Sequence, residues 1–190
     1  HLGLEATEYI SRIIVNPQNP QVVYLGAMGK LWGKNSERGL YRSTNGGGSW
    51  ENKLFISDST GCIDVAINPA DPNIVYAAMW ERIRRPDRRS YGGATCGLYR
   101  SSDAGETWIE LTNGLPSNSP NVGRIGISVS ASSPNIIYAI YADNIGYFAG
   151  VYLSTNSGDR WARTNDGALS SLFSPLGCWS GNIPVDPLNT

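Results

Sequence analysis

The stretch from Met79 to Tyr91 gathers more binding chemistry than any other: Met79-Trp80-Glu81-Arg82-Ile83-Arg84-Arg85-Pro86-Asp87-Arg88-Arg89-Ser90-Tyr91. It holds five arginines, two carboxylates and two aromatic rings. Guanidinium forks match the geometry of a carboxylate or sulfate, and an indole or phenol plane can stack on a sugar ring. One reading is therefore recognition of an anionic or sugar ligand by Trp80, Arg82, Arg84, Arg85, Arg88 and Tyr91, joined by Trp32 from an earlier loop. The other is a solvated loop whose arginines pair with Glu81, Asp87 and neighbouring segments. Glycoside hydrolysis would need two carboxylates about 5–10 Å apart across a sugar. Asp64, Glu81 and Asp87 are the candidates singled out, among Glu37, Asp58 and Asp143, and nothing in the sequence selects a pair.

Much other chemistry is excluded by composition. The only histidine is His1, so triads and metal sites built on several histidines have no ligands within this chain. Cys62, Cys96 and Cys178 are too few and too irregular for a disulfide framework or a zinc site. They read as small buried hydrophobes, with a Cys62–Cys96 bridge as the minor alternative. No cofactor and no metal is expected; the Gly clusters at 46–48 and 92–93 lie in turns, and no phosphate-binding loop or EF-hand pattern is present. The formal charge of -1 provides no global field for nucleic acid, and no run of about 18 apolar residues could span a membrane. No signal peptide is visible in a chain that opens inside a repeat.

What positions these residues is an internal repeat. Three segments read S-x-(D/N)-x-G-x-x-W: Ser43, Asn45, Gly47 and Trp50; Ser101, Asp103, Gly105 and Trp108; Ser154, Asn156, Gly158 and Trp161. Each follows a strand-like run, Gly39-Leu40-Tyr41-Arg42, Gly97-Leu98-Tyr99-Arg100 and Gly150-Val151-Tyr152-Leu153. A second shared element begins at Val15-Asn16-Pro17, Ile67-Asn68-Pro69, Val129-Ser130-Ala131 and Val185-Asp186-Pro187, at offsets of 52, 62 and 56 residues. Self-similarity at this period marks a repeat architecture whose length variation sits in loops.

Each unit accounts for four strands. The alternating Ile/Val run before the Asn-Pro element is a strand, and Pro breaks the ladder because it lacks an N–H. The Val-Tyr or Ile-Tyr run after it is the second. The third ends at the eight-residue segment and the fourth starts at its Trp. That segment is a hairpin turn: the Asp or Asn oxygen can accept backbone N–H groups, Gly permits positive φ, and Trp anchors beneath. Asn still offers a carbonyl oxygen, so the turn survives Asn for Asp. Four strands per unit of about 50 residues give an all-β partial propeller of four-stranded antiparallel blades: three blades, at 8–56, 60–113 and 121–166, and the first strand of a fourth at 177–190.

At these turns the sequence resembles the Asp-box (BNR) repeat superfamily, and within it bacterial sortilin-like, glycosyl-hydrolase-like propellers. Further matching stretches are Gly3-Leu4-Glu5-Ala6-Thr7, Asn35-Ser36-Glu37-Arg38-Gly39-Leu40-Tyr41-Arg42, Trp80-Glu81-Arg82-Ile83-Arg84-Arg85-Pro86 and Leu111-Thr112-Asn113-Gly114-Leu115-Pro116. The resemblance implies a larger secreted or cell-surface propeller, completed by further blades from a longer chain or by self-association. It implies either a non-catalytic binding protein for glycan or protein ligands, or a fragment of a xyloglucanase- or sialidase-like hydrolase. The Asp box is structural across that superfamily and carries no catalytic information. The Arg-Ile-Pro tripeptide typical of sialidases is missing.

With the first strand innermost, both repeated turns fall on one face. The opposite face collects residues 28–39, 55–62, 79–96, 112–123, 141–149 and 165–180, where the repeats diverge. Asp64 instead falls within an inner strand, aligned with Arg12, Gly126 and Asn182. There it reads as a channel-lining acid or as the partner of Arg12 or Arg124.

Overall fold

The computed structural model describes residues 3–87, 91–171, 177 and 181–188. Arg88 and Cys178 therefore lie outside the described residues.

Among the described residues the ladders form three four-stranded sheets, each an antiparallel meander. The first holds β1 (Ile10–Val15), β2 (Val23–Ala27), β3 (Gly39–Ser43) and β4 (Glu51–Leu54). The second holds β5 (Thr60–Ile67), β6 (Val75–Glu81), β7 (Gly97–Ser101) and β8 (Ile109–Glu110). The third holds β9 (Val122–Val129), β10 (Ile137–Asp143), β11 (Phe148–Ser154) and β12 (Ala162–Arg163). Neighbouring sheets pack face to face, which makes the chain a partial propeller. Residues 181–188 carry no ladder; Asn182 accepts from Arg124 Nη2 at 3.0 Å, and Ile183 packs on the third sheet near Ile140 and Val151.

The cores lie between sheets, and the two-residue strand period sorts side chains into them. On β6, Val75, Ala77 and Met79 face the first sheet and meet Tyr24, Leu40 and Leu54. Tyr76, Ala78 and Trp80 face the third and meet Ile125, Ile137, Tyr141 and Trp161. The middle sheet is thus buried on both faces. Cys62 lies in the first of these clusters and Cys96 in the second, both as free thiols. The Cys62–Cys96 bridge is accordingly set aside: the two side chains point into different cores. Burial raises both thiols, that of Cys96 to about 12.

The three eight-residue turns share one hydrogen-bond scheme. The Ser hydroxyl accepts the Gly N–H two positions past the acid or amide, at 2.8, 2.8 and 2.9 Å for Gly47, Gly105 and Gly158. The Asn or Asp oxygen accepts the N–H of Ser49, Thr107 or Arg160 at 2.8, 2.9 and 3.0 Å. Gly47, Gly105 and Gly158 have φ of 93°, 91° and 93°, which a side chain would strain. Asn fills the role of Asp because only a carbonyl oxygen is required.

The same turns join the sheets. Tyr24 and Arg42 stand opposite each other on β2 and β3, and both donate to the carbonyl of Ala104 in the second turn, at 2.9 and 2.6 Å. Tyr76 and Arg100 repeat this on the carbonyl of Ser157 in the third turn, at 3.0 and 2.7 Å. Each arginine also meets the acid two positions later, Glu106 or Asp159. At the free end of the first sheet Ile13 is 60% exposed, whereas Val65, its repeat equivalent, is 1% exposed. An open groove of about 390 Å³ remains there, lined by Leu4, Ile13, Leu25, Gly47 and Trp50.

Asp103 distinguishes the second turn. The hydroxyl and N–H of Thr107 and the hydroxyl of Ser101 hold its carboxyl down at about 2, below the ordinary value of about 3.9. A carboxylate lowered on folding contributes stability above about pH 4 that is lost as pH falls towards about 2. Asp103→Asn should remove this component, so calorimetry from pH 7 to 2.5 should show a shallower acid loss than wild type. An unchanged acid slope would contradict the assignment.

Candidate loop-face binding site

Antiparallel meanders send alternate connections to opposite ends. At one end the two turns of each sheet are stitched together by Gly46 N–H to Gln21 O, Ala104 N–H to Asn73 O and Ser157 N–H to Asn135 O. At the other end the longer loops meet across sheets, through Arg84 N–H to Leu31 O, Asn35 N–H to Asp58 O and Tyr91 N–H to Asn144 O.

Arg38 organises this loop end. Its side chain is fully buried and, among the described residues, forms no ion pair; its guanidinium donates to carbonyls of Met28, Lys30, Gly33, Ser59 and Arg82, and Nε donates to Asn35 Oδ1 at 2.9 Å. Desolvation lowers its pKa from the usual arginine value. The cage fixes the loop after β2 against those before β5 and after β6. Sequence reasoning missed this residue. The available signal was its place just before the Gly-Leu-Tyr-Arg strand, where the other repeats carry the apolar Cys96 and Ala149.

On this frame Trp32 stands 61% exposed, and the guanidinium of Arg84 lies 5.1 Å from its ring centroid. Arg84 and Arg85 are both exposed. Arg82 lies over the rings of Trp80 and Tyr91, at 5.0 and 5.8 Å. Trp80 itself corrects the sequence reading: β6 runs on to Glu81, so its ring is a core residue, 1% exposed, with Nε1 donating to Tyr91 O at 2.8 Å. It offers no face to a ligand. The alternation Tyr76, Ala78, Trp80 was the signal for this. Tyr91 is half-buried and braces Arg82.

The candidate carboxylates are not brought together as a free pair. Asp64 accepts Val65 N–H at 3.0 Å and Ile127 N–H of the next sheet at 3.1 Å, with Arg12 Nε at 3.6 Å. It lines an open pocket of about 430 Å³ with Arg12, Ile127 and Asn182, and burial raises its pKa. Glu81 accepts the Thr95 hydroxyl at 2.8 Å, and Thr95 is bonded in turn to Thr60 at 2.6 Å. Asp87 is exposed. Asp143 forms its own turn, accepting three N–H groups, and Asp58 pairs with Lys34 at 3.2 Å.

Among solved structures, an ancestral GH74 enzyme is similar to this chain with a TM-score of 0.60 and 23% identity, over 82% of this chain and 18% of that one. The GH74 enzyme from Niastella koreensis gives 0.58 and 23%, over 81% of this chain and 22% of its own. YCF48 bound to a D1 peptide gives 0.48 and 15%, over 84% and 41%. The likeness to the two GH74 structures is one of fold, and the chain spans about a fifth of their length. No protein-family model matches the chain, and no curated protein matches it.

Replacing Arg38 by Met would leave the buried Met28 carbonyl, and the less buried carbonyls of Lys30, Gly33 and Arg82, without this donor, while Ser59 O keeps the Arg82 N–H. A buried group left unsatisfied costs about 1–3 kcal/mol, so Arg38→Met should lose at least about 1 kcal/mol in urea unfolding. A loss below about 1 kcal/mol would show that the cage does not hold the loop end.

Proposed function

We propose that this chain is part of an exported propeller that binds a glycan at its loop face, centred on Trp32 and Arg84, without cleaving it. The observation that carries this reading is an indole 61% exposed to solvent with a guanidinium 5.1 Å from its ring centroid, on loops fixed by a buried arginine. A tryptophan held open at the rim of a rigid scaffold suits stacking on a sugar ring, and binding residues concentrate on such loops. The turn chemistry supports membership of the Asp-box superfamily. The exposed apolar face of the first sheet supports completion of the ring by further blades.

Binding is favoured over hydrolysis because Asp64 and Glu81 are engaged in holding β5, β6, β9 and the loop carrying Thr95. In the competing hydrolase reading, Asp64→Asn, Glu81→Gln or Asp87→Asn would slow release of reducing ends. In the binding reading none of them does, because none is released. Affinity electrophoresis of the complete source protein across a panel of neutral and acidic polysaccharides should show retardation by at least one. Trp32→Ala should abolish it with an unchanged thermal midpoint. Retardation that survives Trp32→Ala, or a polypeptide as the only ligand bound, would overturn the proposal.

A further inference from the structure

Resting on that reading, we infer that the ligand at Trp32 is an acidic polysaccharide, a chain of pyranoses bearing carboxylates. Several charges of the loop face are satisfied internally. Lys34 pairs with Asp58, Arg38 is enclosed by carbonyls, and Arg82 lies on two rings. Glu37 accepts from Ser36 and Asn35, and Glu81 accepts from Thr95. Elsewhere the chain gives Arg42, Arg100 and Arg163 a carboxylate within 3.0 Å. Arg84 and Arg85 differ: both are exposed, and among the described residues neither has a carboxylate partner.

The position of Arg84 adds direction. Its guanidinium is held against the Trp32 indole, and its backbone N–H is tied to Leu31 O at 2.8 Å, so indole and guanidinium move as one unit. Arg84 remains exposed beside the indole, so its N–H donors can reach a ligand. Those donors bind a carboxylate edge-on. A uronic acid matches both halves: its C–H face lies on the indole and its carboxylate meets Arg84, with Arg85 adjacent for the next residue. Asp87, exposed two residues further on, would accept a sugar hydroxyl rather than a second acid. An acidic polypeptide would satisfy the arginines but would leave the open indole without a ring to stack on.

The test uses the complete source protein and three probes in affinity electrophoresis: polygalacturonate, its methyl-esterified form and poly-glutamate. Polygalacturonate should retard the protein, in a manner weakened by added salt. The ester, which keeps the ring and loses the charge, should bind at least about tenfold more weakly. Arg84→Gln and Trp32→Ala should each cost about tenfold or more at an unchanged thermal midpoint; Lys34→Gln, whose charge is already neutralised by Asp58, should cost little. Equal binding of acid and ester would overturn the acidic ligand and leave the glycan reading standing. Binding of poly-glutamate alone, insensitive to Trp32→Ala, or of no polysaccharide in this set or in the wider panel, would overturn both.

Discussion

The carbonyl at the fourth position of the second and third repeated turns receives a tyrosine hydroxyl and an arginine guanidinium from the preceding sheet, and the stacking of sheets depends on that constraint. Ala104 and Ser157 are the two acceptors, and the donors are Tyr24 with Arg42 and Tyr76 with Arg100. A carbonyl can be aimed in this way only if the turn is rigid. The Ser and Asn or Asp side chains provide that rigidity by closing the turn on its own N–H groups. The following glycine then packs close to the incoming tyrosine ring: a Cβ on Gly105 or Gly158 would stand 3.4 or 3.5 Å from it. One eight-residue sequence thereby forms a hairpin and a joint between hairpins.

This division of labour separates stability from the proposed recognition. The turn end of the propeller is committed to joints. The loop end, freed from that task, varies between sheets and carries Trp32, Arg84 and Arg85. Even there a structural demand comes first, since the buried cage around Arg38 sets the loops before any ligand is present. A rigid, exposed indole beside a guanidinium with no carboxylate partner among the described residues would cost little ordering on binding, which is the physical advantage of the proposed site.

The turns and strands were legible because their determinants are local. Ser, Asn or Asp, Gly and Trp at fixed spacing define a turn whatever lies around it, and alternation defines the strands beside it. The open indole of Trp32 was legible for a similar reason, since it falls where the repeat lapses. Trp80 was misplaced because an arginine-rich segment drew a loop boundary three residues too early, although the alternation from Tyr76 continued through it. Arg38 and the bonds of Asp64 to Ile127 were not legible. Their partners are backbone groups of distant segments, which leave no residue-type signature. The joints lie between these cases: Tyr24 and Arg42 repeat visibly, but their shared acceptor appears only in three dimensions.

The central claim is that turns hold sheets together while the opposite loop face meets the ligand. Hydroxyl-radical footprinting of the complete source protein, with and without saturating polysaccharide, tests it residue by residue. The account predicts protection of Trp32 on binding, with the oxidation of Trp50, Trp108 and Trp161 unchanged. Protection of those turn tryptophans with Trp32 still reactive would place the ligand on the joint face and contradict it.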